Sequence, residues 1–136
     1  MYLNELEKME TKDFLELAYL MVNRDGEITK EERKMFDSYR AETNLSKQEY
    51  QIQNKPLKIV AENLKRSSKK VQKIILLELS ALALSDDEYA KEEEEMMNEL
   101  LNTWKIETYE FKRIKRWVEG FNDLLVEGYV LIEDKK

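Results

Sequence analysis

The stretch Val71–Leu84 (VQKIILLELSALAL) decides the fold class, because a helix of this sequence is apolar on nearly every side. Such a helix is stable in water only where other helices surround it. The 136-residue chain has only three Gly and one Pro, which argues against a turn-rich all-β fold. We therefore predict an all-α bundle with this stretch at its centre and with Leu76, Leu79 and Leu82 shielded from water.

Helical patterns flank this stretch on both sides. Apolar residues recur at three- and four-residue spacing from Thr11 to Arg24. Capping boxes at Thr29 and Ser46 predict two helix starts, and the second helix must end near Lys55 because Pro56 follows. Further helices are predicted after Pro56, over Glu92–Trp104 and over Tyr109–Glu127. The patterns together predict one compact domain over residues 1–136, a bundle of about seven helices.

The last predicted helix carries an apolar stripe that leads into an ambiguous tail. The stripe consists of Phe111, Ile114, Trp117, Val118, Phe121, Leu124 and Leu125. Gly128 follows, and then the apolar run Tyr129–Ile132. This run could continue the helix, dock on the core as an extended segment, or serve a partner chain. Its β-branched and aromatic residues favour the extended form.

A shift of 61 residues aligns the chain with itself. Asp25–Glu32 then lies over Asp86–Glu93, and Leu45–Tyr50 lies over Ile106–Phe111. Both copies have the same order of features: an apolar helix, an acidic turn, an amphipathic helix with a Met, and an apolar residue before a capping residue. The order predicts two helical-hairpin repeats, at about 15–50 and 76–111, related by a pseudo-two-fold axis.

The first acidic turn follows the latter part of an EF-hand calcium loop. Oxygen ligands fall at Asn23 and Asp25, a Gly follows, and Glu32 stands at the last loop position. The first ligand position falls on Met21, whose thioether is a poor ligand for a hard cation. Two interpretations stay open for each turn: an Asp-Gly turn followed by acidic residues that favour the helix N-terminus, or a hard-oxygen metal site.

The stretch Leu17–Glu32 (LAYLMVNRDGEITKEE) resembles the TerB-like family of tellurite-resistance-associated helical proteins. The hallmark of that family is an apolar helix that runs into an Asp-Gly-Glu-apolar-x-x-x-Glu turn, often given twice. Leu45–Tyr50 fits the element that usually follows, and Leu82–Glu93 fits a degenerate second copy in which Asp87 replaces the turn Gly. The resemblance covers roughly Leu3 to Leu125.

The resemblance implies a helical bundle with an acidic cluster that holds a divalent cation, Ca²⁺ or Mg²⁺. It further implies a sensing or scaffolding module of a stress-response assembly, and no enzymatic activity. The implied ligands match the family directly at three positions and through the internal repeat at three more. They are Asp25, Glu27 and Glu32, and then Asp86, Glu88 and Glu93.

Composition excludes several kinds of chemistry. The chain has no Cys and no His, so it cannot form a disulfide, a Cys/His zinc site or a catalytic site based on either residue. Its carboxylates are neighbours on predicted solvated helices, where nothing separates their pKa values for acid–base work. We expect neither catalytic residues nor an organic cofactor. The first residues do not resemble a signal peptide and no apolar run is long enough to span a bilayer, so we expect a cytoplasmic protein.

Charge points to a protein partner rather than to nucleic acid. The formal net charge is −6, although basic residues cluster in Lys65–Lys73 and in Lys105–Arg116. These clusters fit solvated helix faces that balance the acidic ones, or a surface for an anionic partner. The alternative to the cation-binding function is therefore a metal-independent adaptor that uses the basic faces or the apolar tail, and a homo-oligomer is possible.

Overall fold

A computed structural model describes residues 1–23, 28–84 and 91–133 of the chain. These residues form helices and no strand, which confirms the all-α prediction. A short 3-10 helix, Leu3–Glu5, precedes six α-helices. They are α1 (Lys8–Val22), α2 (Lys30–Thr43), α3 (Leu57–Leu64), α4 (Lys69–Ala83), α5 (Lys91–Trp104) and α6 (Thr108–Ile132).

Helices α1 and α4 pack against each other at the centre of the bundle. Leu76, Leu79 and Leu82 of α4 are fully buried, as predicted from the apolar stretch. Helix α2 packs on α1, while α3 lies between α1 and α5, and α6 lies along α4. The inner face of α5 is also buried as predicted, and the Trp104 indole donates a hydrogen bond of 2.9 Å to the Ala61 carbonyl of α3.

The helices recur at the 61-residue spacing seen in the sequence. Helices α1 and α4 each contain 15 residues and start 61 residues apart, and the 14-residue helices α2 and α5 do the same. The residue after each second helix, Asn44 or Lys105, has a left-handed φ of 55° or 56°. The next residue, Leu45 or Ile106, is buried. The repeat boundaries at 15–50 and 76–111 stay a prediction.

The short helix predicted to start at Ser46 does not form. Ser46 and Glu49 make one of the two hydrogen bonds of a capping box, in which the Glu49 amide donates to the Ser46 hydroxyl oxygen at 3.3 Å. Only one turn follows, and residues 50–56 are neither helix nor strand. The equivalent residues of the second half, 61 positions later, begin the 25-residue helix α6.

Buried Glu16 explains why the first half departs from helical structure here. Its carboxylate accepts backbone hydrogen bonds from Gln53 at 2.8 Å and Lys55 at 3.1 Å, and a third from the Tyr50 hydroxyl. These amides are satisfied by a side chain of α1 rather than by a helix. The residue 61 positions after Glu16 is Leu77, which lines a surface groove with α6 instead.

Arg40 of α2 also forms hydrogen bonds with the connection between α2 and α3. One terminal nitrogen of its guanidinium, Nη1, donates to the Tyr50 carbonyl at 3.0 Å and to the Leu45 carbonyl at 3.3 Å. Glu16 and Arg40 together therefore satisfy two amides and two carbonyls of the connection that leads to α3.

The C-terminal run Tyr129–Ile132 continues α6 and is not extended. The sequence preference for the extended form was therefore wrong, because intrinsic β-propensity is weak against the continuation of a helix that is already formed.

Replacement of Glu16 by Gln should lower the free energy of unfolding at pH 7 by about 3 kcal/mol, because an amide nitrogen then faces N–H donors in a buried site. Burial alone would raise the pKa of the Glu16 carboxyl, but its hydrogen bonds and the Lys55 charge outweigh burial and lower that pKa. The charged form therefore stabilises the fold above the unfolded pKa of about 4.3, and this contribution disappears as the pH falls through the lower folded pKa.

Urea unfolding of the parent and of Glu16→Gln between pH 7 and pH 3 measures this effect. The difference between the two proteins should be largest at pH 7 and should narrow below about pH 4. Asp13, whose pKa burial raises, is present in both proteins. Glu62→Gln, at an exposed site on α3, serves as the control and should match the parent throughout. A gap that stays constant with pH would contradict the role of the Glu16 charge.

Candidate functional site

The C-terminal half of α6 extends beyond the body of the bundle. Residues seven apart on a helix lie on the same face, and on α6 this row is Phe111, Val118, Leu125 and Ile132. Their exposed fractions are 7%, 5%, 49% and 76% in that order. The body therefore ends between Val118 and Leu125, while the apolar face continues to the end of the helix.

A second apolar row lies beside the first. Trp117, Leu124 and Leu131 are 43%, 66% and 77% exposed. The Trp117 ring stacks on Phe121 with 5.4 Å between centroids, and it also lies 6.3 Å from the Tyr2 ring. We call residues 117–132 of this helix the α6 arm. Several large apolar side chains on one helix face are thus open to water.

Two glycines of α6 have no packing role among the described residues. A Cβ atom placed at Gly120 or Gly128 would meet no neighbouring atom of the described chain within 4 Å. Glycine inside a helix costs about 1 kcal/mol relative to alanine. Gly128 lies on the apolar face, between Leu124 and Leu131. A position without a side chain allows another backbone or a large aromatic ring to approach the helix closely.

The charges of α6 are divided along its length. Its first half carries Lys112, Arg113, Lys115 and Arg116 against Glu110 and Glu119, and its second half carries Asp123 and Glu127, with Glu133 after its end. The first half is therefore positive and the second half negative.

A groove of about 460 Å³ lies between α2, α4 and the start of the α6 arm. Met35, Leu84 and Phe121 contribute to its wall. Leu125 lies at its edge, where α6 passes the C-terminal end of α4. The arm therefore presents its apolar face beside an apolar recess of the body.

Four of the six predicted cation ligands lie outside the described residues. These four are Asp25, Glu27, Asp86 and Glu88. The other two, Glu32 and Glu93, are buried in the first turns of α2 and α5. One Glu32 oxygen accepts a hydrogen bond of 3.0 Å from the Thr29 amide, which is the predicted capping box. Within residues 1–23, 28–84 and 91–133, no three acidic side chains come together in a way that could hold a metal ion.

The first predicted basic cluster makes contacts within the chain. Lys70 pairs with Glu5 at 2.7 Å, and Lys73 pairs with Glu110 at 3.0 Å. Lys69 donates a hydrogen bond to the Trp104 carbonyl. These contacts connect α4 to the 3-10 helix, to α6 and to α5.

Sequence reasoning did not identify Glu16 or Arg40 as structural centres. A signal for Glu16 was present, because this single acid interrupts the apolar run Phe14–Met21. Glu78 interrupts α4 in the same way and is also buried. It accepts a hydrogen bond of 2.7 Å from the Tyr2 amide. A lone charge within an apolar helix face is thus the pattern that both residues share.

Comparison with protein-family models, with curated proteins and with solved structures finds no match to this chain. No helix among the described residues combines the length and the apolar character needed to cross a membrane. A function has to be inferred from features of the chain itself, such as the exposed apolar face of the α6 arm and the acidic residues of the two turns.

Proposed function

We propose that this chain is a non-enzymatic helical module that assembles with a second copy of itself through the α6 arm. The observation that carries the proposal is the rise in exposure from Val118 to Ile132 along a single apolar row, from 5% to 76%. A helix face that is built to be buried, and that the body leaves uncovered, is typical of an interaction surface.

The area of the arm is large enough for a specific contact. Six of its exposed apolar side chains lie on one side of the helix. They are Trp117, Leu124, Leu125, Tyr129, Leu131 and Ile132. At about 200 Å² for a fully exposed large side chain, these six present roughly 700 Å². This area is close to the roughly 800 Å² that each partner contributes to a standard interface.

The charge division along α6 favours a second copy in the antiparallel direction. Antiparallel helices place the positive half of one copy beside the negative half of the other, whereas parallel helices would place like charges together. If Trp117 lies level with the partner's Gly128, its ring meets a position without a side chain, and Arg116 comes close to the partner's Glu127. A contact of this kind is isologous and closes as a two-fold dimer.

A second candidate function is divalent-cation binding, as in the TerB-like resemblance. It is supported by the equivalent positions of Glu32 and Glu93, which lie 61 residues apart in the first turns of α2 and α5 and are both buried. In this proposal Glu32 joins Asp25 and Glu27, and Glu93 joins Asp86 and Glu88, to hold Ca²⁺ or Mg²⁺ through oxygen ligands. A dimeric scaffold with such a site fits a sensing component of a stress-response assembly.

Leu124→Arg should convert a dimer into a monomer, because a charge would replace an apolar side chain at the middle of the contact. Sedimentation equilibrium at micromolar concentration measures the mass, and we expect the dissociation constant to rise at least tenfold, which corresponds to about 1.4 kcal/mol. Ile59→Arg is the matched control, since Ile59 is a similarly exposed apolar residue of α3. It should leave the dimer intact.

A monomeric parent at these concentrations would contradict the second-copy proposal. An equal effect of Ile59→Arg would contradict the assignment to the α6 arm. If the parent is monomeric and binds a different protein through Leu124, the arm is a surface for that protein instead.

Charge reversal tests the antiparallel direction. Arg116→Glu alone and Glu127→Arg alone should each weaken the dimer, because each places like charges opposite each other. The two changes together should restore the parent dissociation constant within a factor of about three, since the pair is then reversed but complementary. The same sedimentation measurement applies. Equal weakening in the double variant would contradict the antiparallel register.

Cation binding is tested by calorimetry with Ca²⁺ and with Mg²⁺. Asp25→Asn combined with Glu32→Gln should abolish binding, because it removes two charged ligands while Gln still completes the capping box with Thr29. The control Glu62→Gln with Glu99→Gln removes the same charge from exposed sites and should bind as the parent does. If neither cation binds the parent at millimolar concentration, or neither raises its melting temperature, the turns have a capping role only.

A further inference from the structure

A cavity of about 370 Å³ lies between α1, α2 and the connection that follows α2. Its size falls within the range of small-molecule sites. The walls are largely apolar and include Val22, Ile28, Phe36 and Ile52. Three cationic side chains also line it. They are Arg33, Arg40 and Lys47.

Arg40 is the central polar group of this cavity. The residue is 9% exposed, and its guanidinium carbon lies 5.4 Å from the centre of the Phe36 ring. Nη1 is used by the carbonyls of Leu45 and Tyr50. The Nε atom is buried without a hydrogen-bond acceptor in the described part of the chain, and Nη2 makes no hydrogen bond there. The guanidinium therefore keeps a buried donor, Nε, that no described acceptor satisfies.

The Arg40 charge also has no counter-charge among the described residues. No described carboxylate lies within 4.0 Å of it, and this includes Asp37, which lines the same cavity one turn earlier on α2. A buried charge is normally paired, because its removal from water is costly without a partner. Arg33 and Lys47 add positive potential at the mouth rather than a compensating negative charge.

We propose that this cavity binds a small organic carboxylate with an apolar body. The carboxylate takes the Nε–Nη2 edge of Arg40 in a bidentate contact and supplies both the missing acceptor and the missing counter-charge. Phe36, Ile28 and Ile52 enclose the apolar body, while Arg33 and Lys47 attract the anion. The largely apolar walls favour a ligand with an apolar body over inorganic phosphate. This site is separate from the α6 arm and from the acidic turns.

Titration calorimetry with 3-phenylpropionate and with octanoate tests the site. The neutral amide 3-phenylpropanamide has the same apolar body without the charge, and inorganic phosphate has the charge without the body. We expect the two carboxylates to bind, the amide to bind at least tenfold more weakly, and phosphate not to bind. No binding of either carboxylate at millimolar concentration, or equal binding of the amide, would overturn the proposal, and tighter binding of phosphate would overturn the carboxylate class.

Variants locate the binding. Arg40→Lys keeps the charge but loses the planar fork, and it should weaken binding about tenfold to a hundredfold. Since Arg40 also holds backbone carbonyls, Arg33→Gln with Lys47→Gln provides a second test at exposed positions and should weaken binding several-fold. The control Lys112→Gln with Arg113→Gln removes the same charge from α6 and should bind as the parent does. An equal loss in this control would show that the effect is one of net charge and would overturn the assignment to the cavity.

Discussion

The buried carboxylate of Glu16 fixes the connection between α2 and α3. It lies on the central helix α1 and takes the backbone amides of Gln53 and Lys55, so the segment after Ser46 does not form the predicted helix. Helix α3 begins only after Pro56 and packs against α1 and α5. At the position 61 residues later stands Leu77, which leaves the corresponding segment free to form α6. The two halves have similar helices, and one acidic residue thus accounts for the difference between their third segments.

Other buried charges act in the same manner on irregular segments. Arg40 binds two carbonyls of the connection, and Glu78 binds the Tyr2 amide beside the 3-10 helix. Removing one partner from such a site leaves a buried group unsatisfied, which costs more than a typical surface contact is worth. Apolar burial explains why helices pack, whereas these few polar side chains explain where the chain between the helices runs.

The sequence was sufficient to predict the helices that have strong periodicity, and it placed α4 at the centre correctly. It failed at Ser46, where the sequence has a capping box but hydrogen bonds of the following backbone to Glu16 and from Arg40 prevail over local helix propensity. It also failed at Tyr129–Ile132, because propensity does not reveal where the body of the bundle ends. Of the candidate cation ligands, the structure places Glu32 and Glu93, and the other four lie outside the described residues. Contacts between residues far apart in the chain leave no periodic signal, and this limits any prediction of the site.

In the proposed dimer, the α6 arm would link the amount of assembled protein to its survival. Beyond the body, residues 122–132 form a helical segment of about 16 Å that is largely exposed and makes little contact with the other described residues. A helix of this length is marginal in water without packing, so its last turns unravel readily when nothing covers them. An uncovered copy then offers proteases an apolar, unfolded segment, whereas a covered copy does not. Degradation in the cell would act first on unassembled subunits. The steady level of the protein would therefore depend on the fraction of copies in which the apolar face of the α6 arm is covered.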